Sequence, residues 1–164
     1  MAFNVNTYDP SSVILAFGGY PLTGWNTISI RKNVQGYTFV RGIRAKDTRY
    51  RNTDTSATIT FSCLQTGEAN DILSEIHRVD LQTGLGRIAL TLKDNSGSSL
   101  IHSNEAFITD FPEVTFSDGF EYRVWTIACL TTEADWNVGG NLQPQSSLYN
   151  KVSNFVGDTI QNIV

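Results

Sequence analysis

Apolar and polar residues alternate along most of this chain, and the period is two far more often than three or four. Residues 55–64 are the clearest case. Ala57, Ile59, Phe61 and Cys63 alternate with Thr58, Thr60 and Ser62, which predicts a strand with one packed and one hydroxylated face. Residues 12–17 (SVILAF) predict a buried strand ended by Gly18-Gly19, with an aromatic loop after it that carries Tyr20 and Trp25. Residues 26–31 set Ile28 and Ile30 against Thr27 and Ser29. Residues 37–43 then read as the second arm of a hairpin with them, Tyr37 and Phe39 sharing a side. Residues 87–93 and 99–111 form a further hairpin across Asp94-Asn95-Ser96-Gly97. Asp118-Gly119 predicts one more, between 113–117 and 120–131. Its second arm is apolar on both faces, as in a central strand covered by sheet on one side and by a helix or another subunit on the other.

The period changes twice. Ala69, Ile72, Leu73, Ile76 and Val79 fall at helical spacing over 68–81, with Glu68 and Asp71 at the start, His77 and Arg78 near the end, and Gly84 as the stop. From about Ser146, the residues Leu148, Val152, Phe155, Val156, Ile160 and Ile163 make one apolar stripe. That C-terminal helix needs a surface to dock on, either its own domain or a neighbour. The expected fold is mainly β: a β-sandwich or barrel with one flanking α-helix and a C-terminal helix. Residues 1–140 form the β domain, with a projecting loop at about 42–54, and 141–164 form a linker and the amphipathic helix.

Composition supports an ordered body: 40% of residues are hydrophobic and 17% charged in a chain of 164. No apolar run approaches the roughly 20 residues of a membrane span, and no charged-plus-apolar leader opens the chain, so the expectation is folding in the cytoplasm without membrane insertion. Cys63 and Cys129 sit inside strand patterns and read as buried free thiols, with a disulfide open if their strands are neighbours.

Charge changes the picture more. Seven of the twelve Lys and Arg residues lie between Arg31 and Arg51, so residues 1–53 carry +5 and residues 54–164 carry −9. Arg41, Arg44, Lys46, Arg49 and Arg51 recur every two to three positions with Tyr50 among them. Three readings are open. The segment is a solvated hairpin tip, a nucleic-acid arm with phosphate contacts and one stacking ring, or an assembly arm reaching an acidic surface of another copy. Candidates for that surface are Glu113, Asp118, Glu121, Glu133 and Asp135.

Catalytic chemistry is missing from the pattern. His77 and His102 fall in no metal-ligand spacing, no strained-turn nucleophile occurs, and Gly84-Leu85-Gly86 lacks the rest of a phosphate loop. The carboxylates Asp110, Glu113, Asp118 and Glu121 around one hairpin read as solvating groups or partners for positive charge. No catalytic residue, metal or cofactor is expected. Tyr20, Trp25 and Trp136 offer a less favoured alternative, a carbohydrate platform on a β-sandwich.

Three stretches carry a family resemblance: 13–17 leading into GGYPLTGW, ATITFSCLQTGEANDILSEIH, and FPEVTFSDGFEYRVWTIACL. Together they resemble bacteriophage tail tube proteins of the contractile-tailed type over most of residues 8–136. The resemblance implies six copies closing into a ring, rings stacking into a hollow conduit for DNA delivery, and a long early loop, here 42–53, reaching a neighbouring subunit. It also implies sheath, baseplate and tail-terminator partners, and phage DNA passing through the lumen without specific binding. The location it implies is the virion tail, assembled in the host cytoplasm.

Overall fold

The structure, a computed structural model, describes residues 8–132 and 136–140. The alternating stretches become strands β1 (Val13–Phe17), β2 (Tyr20–Leu22), β3 (Trp25–Lys32), β4 (Tyr37–Arg41), β5 (Asp47–Arg51), β6 (Ala57–Leu64), β7 (Ile88–Asp94), β8 (Leu100–Asp110), β9 (Tyr122–Cys129) and β10 (Trp136–Asn137). One helix, α1 (Ala69–Thr83), follows β6. An antiparallel sheet runs β2-β1-β7-β8-β9-β6-β3, with β10 on β8, while β4 and β5 pair only with each other. The fold is mainly β, as expected.

Register breaks between Trp25 and Thr27, between Ile88 and Leu90, and between Ile108 and Asp110 add local twist. The sheet rolls until distant strands share one core. Leu15 and Phe17 of β1, Leu90 of β7, Ile108 of β8, Trp125 and Ile127 of β9, and Ile59 and Phe61 of β6 form a single cluster. Trp25, Ile28 and Ile30 of β3 pack against it. Across the roll, Lys32 Nζ lies 4.9 Å from the Trp136 ring centre. Gly18 and Gly19 both take positive φ, which lets β1 turn straight into β2.

Helix α1 ends where the sequence places it, with Gly84 in the left-handed conformation and its N–H on Asp80 O. Its buried face is rotated from expectation. Ala69, Leu73 and His77 are buried while Val79 is exposed, because Phe111 meets the His77 ring edge-on at 4.6 Å. Asn70, half-buried in the first turn of α1, ties the helix to the sheet. Its Oδ1 accepts from Trp125 Nε1 (3.0 Å) and Cys63 Sγ (3.0 Å), and its Nδ2 donates to Leu64 O (2.8 Å) and Gly67 O (3.2 Å).

Several sequence expectations are corrected. Residues 37–43 do not pair with β3, whose partner is β6; β4 pairs with β5 instead. The aromatic loop contains the short strand β2. Residues 113–117 form no strand, because Arg123, buried in β9, donates to Thr115 O and draws that segment out of the ladder. Strand β9 is central but covered on one face only. Arg123, Trp125, Ile127 and Cys129 are buried, while Tyr122 and Val124 are exposed on the other face.

Strands β6 and β9 are neighbours, yet Cys63 lies opposite Arg123 and Cys129 opposite Ala57. Six positions along a ladder separate them by about 20 Å at the usual rise per residue. Both thiols are buried and free. Burial pushes each up to about 11, and at Cys63 Arg123 and the Asn70 hydrogen bond oppose part of that rise. The C-terminal helix, with Leu148, Val152, Phe155, Val156, Ile160 and Ile163, lies outside the described residues.

Candidate functional site

The basic segment is half of a hairpin that stands apart from the sheet. All five residues of β5 are exposed, and in β4 only Thr38 is partly covered. Cross-strand partners place Tyr37, Phe39, Arg41, Asp47, Arg49 and Arg51 on one face, and Thr38, Val40, Thr48 and Tyr50 on the other. Apolar side chains are exposed on both faces: Tyr37 and Phe39 on the first, Val40 and Tyr50 on the second. A lone two-stranded hairpin of this kind is at best marginally stable in water.

Local contacts hold its shape. Arg49 stacks on Tyr37, 4.2 Å from the ring centre, and Arg41 Nε bonds Asp47 Oδ1 at 2.9 Å. At the base, Asn52 Nδ2 donates to Gln35 O and Thr38 Oγ1, and Asn33 joins Ser56 and Thr58. Asp54 accepts the Ser56 N–H, and this bond first of all holds its carboxyl below the usual carboxylate value. At the tip, Arg44 (φ 68°) and Ala45 (φ 58°) both occupy the left-handed region, which disfavours residues with a Cβ by roughly 1–2 kcal/mol each. The Gly42 N–H closes the turn on Lys46 O at 2.7 Å. This backbone presents Ile43 at 93% exposure.

The acidic candidates Glu113, Asp118 and Glu121 fall in the irregular segment 111–121 between β8 and β9. Glu113 and Asp118 are exposed, and Glu121 is half-buried, accepting from Ser117 Oγ at 2.8 Å. Glu133 and Asp135 lie outside the described residues. Apolar side chains accompany the acids: Val114, Phe116 and Phe120 are exposed, and Phe111 is half-exposed. Phe111, Pro112, Val114 and Phe116 line a groove of about 370 Å³ that also reaches Trp125 and Asn70. Arg123 also lines it, its guanidinium 5.1 Å from the Phe116 ring.

Hairpin and acidic segment have opposite charge. Residues 37–51 hold five basic and one acidic residue, a net +4; residues 110–121 hold four acidic and no basic ones, a net −4. Sequence reasoning found these charges but missed the apolar component. Ile43 and Phe116 look like ordinary strand residues until the structure shows both largely exposed.

The other candidates have local roles. His102 Nδ1 lies 2.8 Å from Thr91 Oγ1 and Nε2 2.9 Å from Asn104 Oδ1. Trp25 packs against the core, and Trp136 lies under Lys32, so they do not form the open aromatic platform a sugar would stack on. Among the described residues no three His, Cys, Asp or Glu side chains converge as a metal site.

No protein-family model matches the chain. A curated relative does: "Structural protein ORF10" of Pseudomonas phage KPP10, 32% identical over 171 residues, an alignment covering 98% of this chain and 93% of the relative. The chain belongs to the family of this phage structural protein. The alignment with this relative spans both the rolled sheet and the hairpin.

Proposed function

We propose that this chain is a structural subunit of a phage tail tube, closing into six-membered rings that stack into a hollow conduit for DNA delivery. The observation that carries the reading is the β4–β5 hairpin, which exposes apolar residues on both faces and has too few contacts of its own to be stable alone. Such an element acquires its partner in an assembly. Homology to a phage structural protein supports a virion role without catalysis. Sheath, baseplate and terminator proteins are the further partners this role requires.

The same reading accounts for the outward face of β3, β6 and β9. Register places Thr27 and Ser29 beside Ser62 and Thr60, and Thr60 beside Thr126, with Arg31 at the margin next to Thr58. A face of hydroxyls with Val124 and Tyr122 among them and one cation at its margin gives duplex phosphates little to bind, which suits the wall of a conduit. The hairpin is a weaker nucleic-acid arm than its sequence implies, since Arg41 is paired with Asp47 and Arg49 lies on the Tyr37 ring.

Electron microscopy of the purified chain tests the proposal. Rings or tubes with a central channel are expected. Monomers at every concentration and ionic strength, with or without purified baseplate as nucleus, would refute it.

A further inference from the structure

Two uncovered apolar features lie beside opposite charges: Ile43 at the hairpin tip and the Phe111–Phe116 groove. Their exposure shows that neither covers the other within one chain. We propose that the hairpin tip of one copy seats Ile43 in the groove formed by Phe111, Val114 and Phe116 of a second copy, with Arg44 and Lys46 against Glu113 and Asp118. The inference rests on the assembly reading above and names the contact that reading needs.

The tip is built for presentation. Two consecutive non-glycine residues in the left-handed region are retained where the backbone gains something from that shape, and here the shape holds Ile43 out in solvent. The Arg41–Asp47 pair and the Gly42–Lys46 hydrogen bond fix the turn before contact, which reduces the ordering entropy lost on docking.

The groove fits this occupant. Its volume of about 370 Å³ is ample for one branched aliphatic side chain, and the segment that supplies Phe111, Val114 and Phe116 also carries exposed carboxylates at Glu113 and Asp118. The Arg123 charge is engaged with Thr115 O and the Phe116 ring, leaving the acidic side chains to face the incoming cations. Donor and acceptor are different surfaces of one chain, so the contact is heterologous and repeats from copy to copy. One tip buries far less than the roughly 1,200 Å² of a stable pairwise complex. The contact therefore holds through repetition around an assembly.

Mixing Ile43→Cys protein with Val114→Cys protein under mild oxidation tests the pairing, since the native thiols at Cys63 and Cys129 are buried. Disulfide-linked chains are expected in the mixture at least tenfold above either variant alone. Ile43→Asp, at a solvent-exposed site that leaves the circular dichroism unchanged, is expected to abolish stacked assemblies. If assemblies form but the mixed crosslink is absent, or Ile43→Asp assembles like the parent, the inference is overturned and the assembly reading stands. Crosslinking within a single variant would overturn the heterologous geometry. A chain that never self-associates would overturn both.

Discussion

Replacing Asn70 with Ala should be among the most destabilising single changes in the rolled sheet, although Asn70 is a small polar residue at the start of a helix. The substitution leaves the indole N–H of Trp125, which is 1% exposed, without its acceptor. An orphaned buried donor costs about 1–3 kcal/mol. It also removes two donations that hold the turn before α1, to Leu64 O and Gly67 O, at roughly 1 kcal/mol each. Alanine's helix propensity returns only about 0.5 kcal/mol. The expected net loss is about 3 kcal/mol, or roughly 6–12 °C in Tm for a chain of this size. Urea unfolding of the unassembled chain, followed by circular dichroism, measures it. In a Trp125→Phe background the donor is gone, so the same Asn70→Ala change should cost about 1–2 kcal/mol less. Equal cost in both backgrounds would show that the Trp125 hydrogen bond contributes nothing, and a loss below about 1 kcal/mol would refute the account of the whole clasp.

Other consequences can be checked separately. Both cysteines should resist a thiol reagent in the native protein near pH 8 and react fully in urea, since burial raises each to about 11. The same shift has a sign: the unfolded thiols ionise near 9 and the folded ones near 11, so their contribution to stability is complete below pH 9 and lost as pH rises towards 11. Denaturation midpoints at pH 8, 9.5 and 11 measure it. His77→Leu should leave stability unchanged or raise it by up to about 1 kcal/mol, because the buried His77 Nδ1 has no partner and leucine suits the contact with Phe111; a loss above 2 kcal/mol by urea unfolding would show a hidden role for the ring. Joint Arg44→Glu and Lys46→Glu replacement should impair stacking at low salt while leaving the fold intact, and normal tube lengths by microscopy would count against the charge argument. Binding to duplex DNA should stay weak, above micromolar at physiological salt, and a steep negative salt slope at submicromolar affinity would favour the nucleic-acid arm.

The strands whose side chains alternate in burial were legible, and those held mainly by backbone pairing were not. Residues 57–63 announce β6 because one face enters the core and the other does not. Strand β5 gives no such signal, since every side chain in it is exposed and only the ladder to β4 makes it a strand. Pairing choice was equally hidden. Nothing local in 26–31 distinguishes the adjacent 37–43 from the distant β6 as a partner, and the sheet takes the distant one. Asp118-Gly119 is a sound turn signal that here turns no ladder, because the Arg123 side chain, eight residues on, takes the carbonyl of Thr115. For α1 the stop was readable from Gly84, whereas His77 and Arg78 fall before the last turn and do not mark it, and a histidine among apolar residues is ambiguous until Phe111 is known to cover it. The charged part of the candidate site was visible in the sequence. Its apolar part was not, because exposure is a property of the packed chain.

The base of the hairpin, where Asn52 closes it on Gln35 and Thr38 and Asn33 ties the end of β3 to Ser56 and Thr58, separates two kinds of constraint. Residues that fold the chain, such as Asn70, Trp125 and Ile59, lie on one side of that joint, and Ile43, Arg44 and Lys46 lie on the other. Under the proposed assembly, changes in the hairpin would alter how firmly copies cohere without drawing on the stability of the body that carries them. If that assembly forms, a segment of about fifteen residues is where it could be lengthened, loosened or re-paired while the sheet stays as it is.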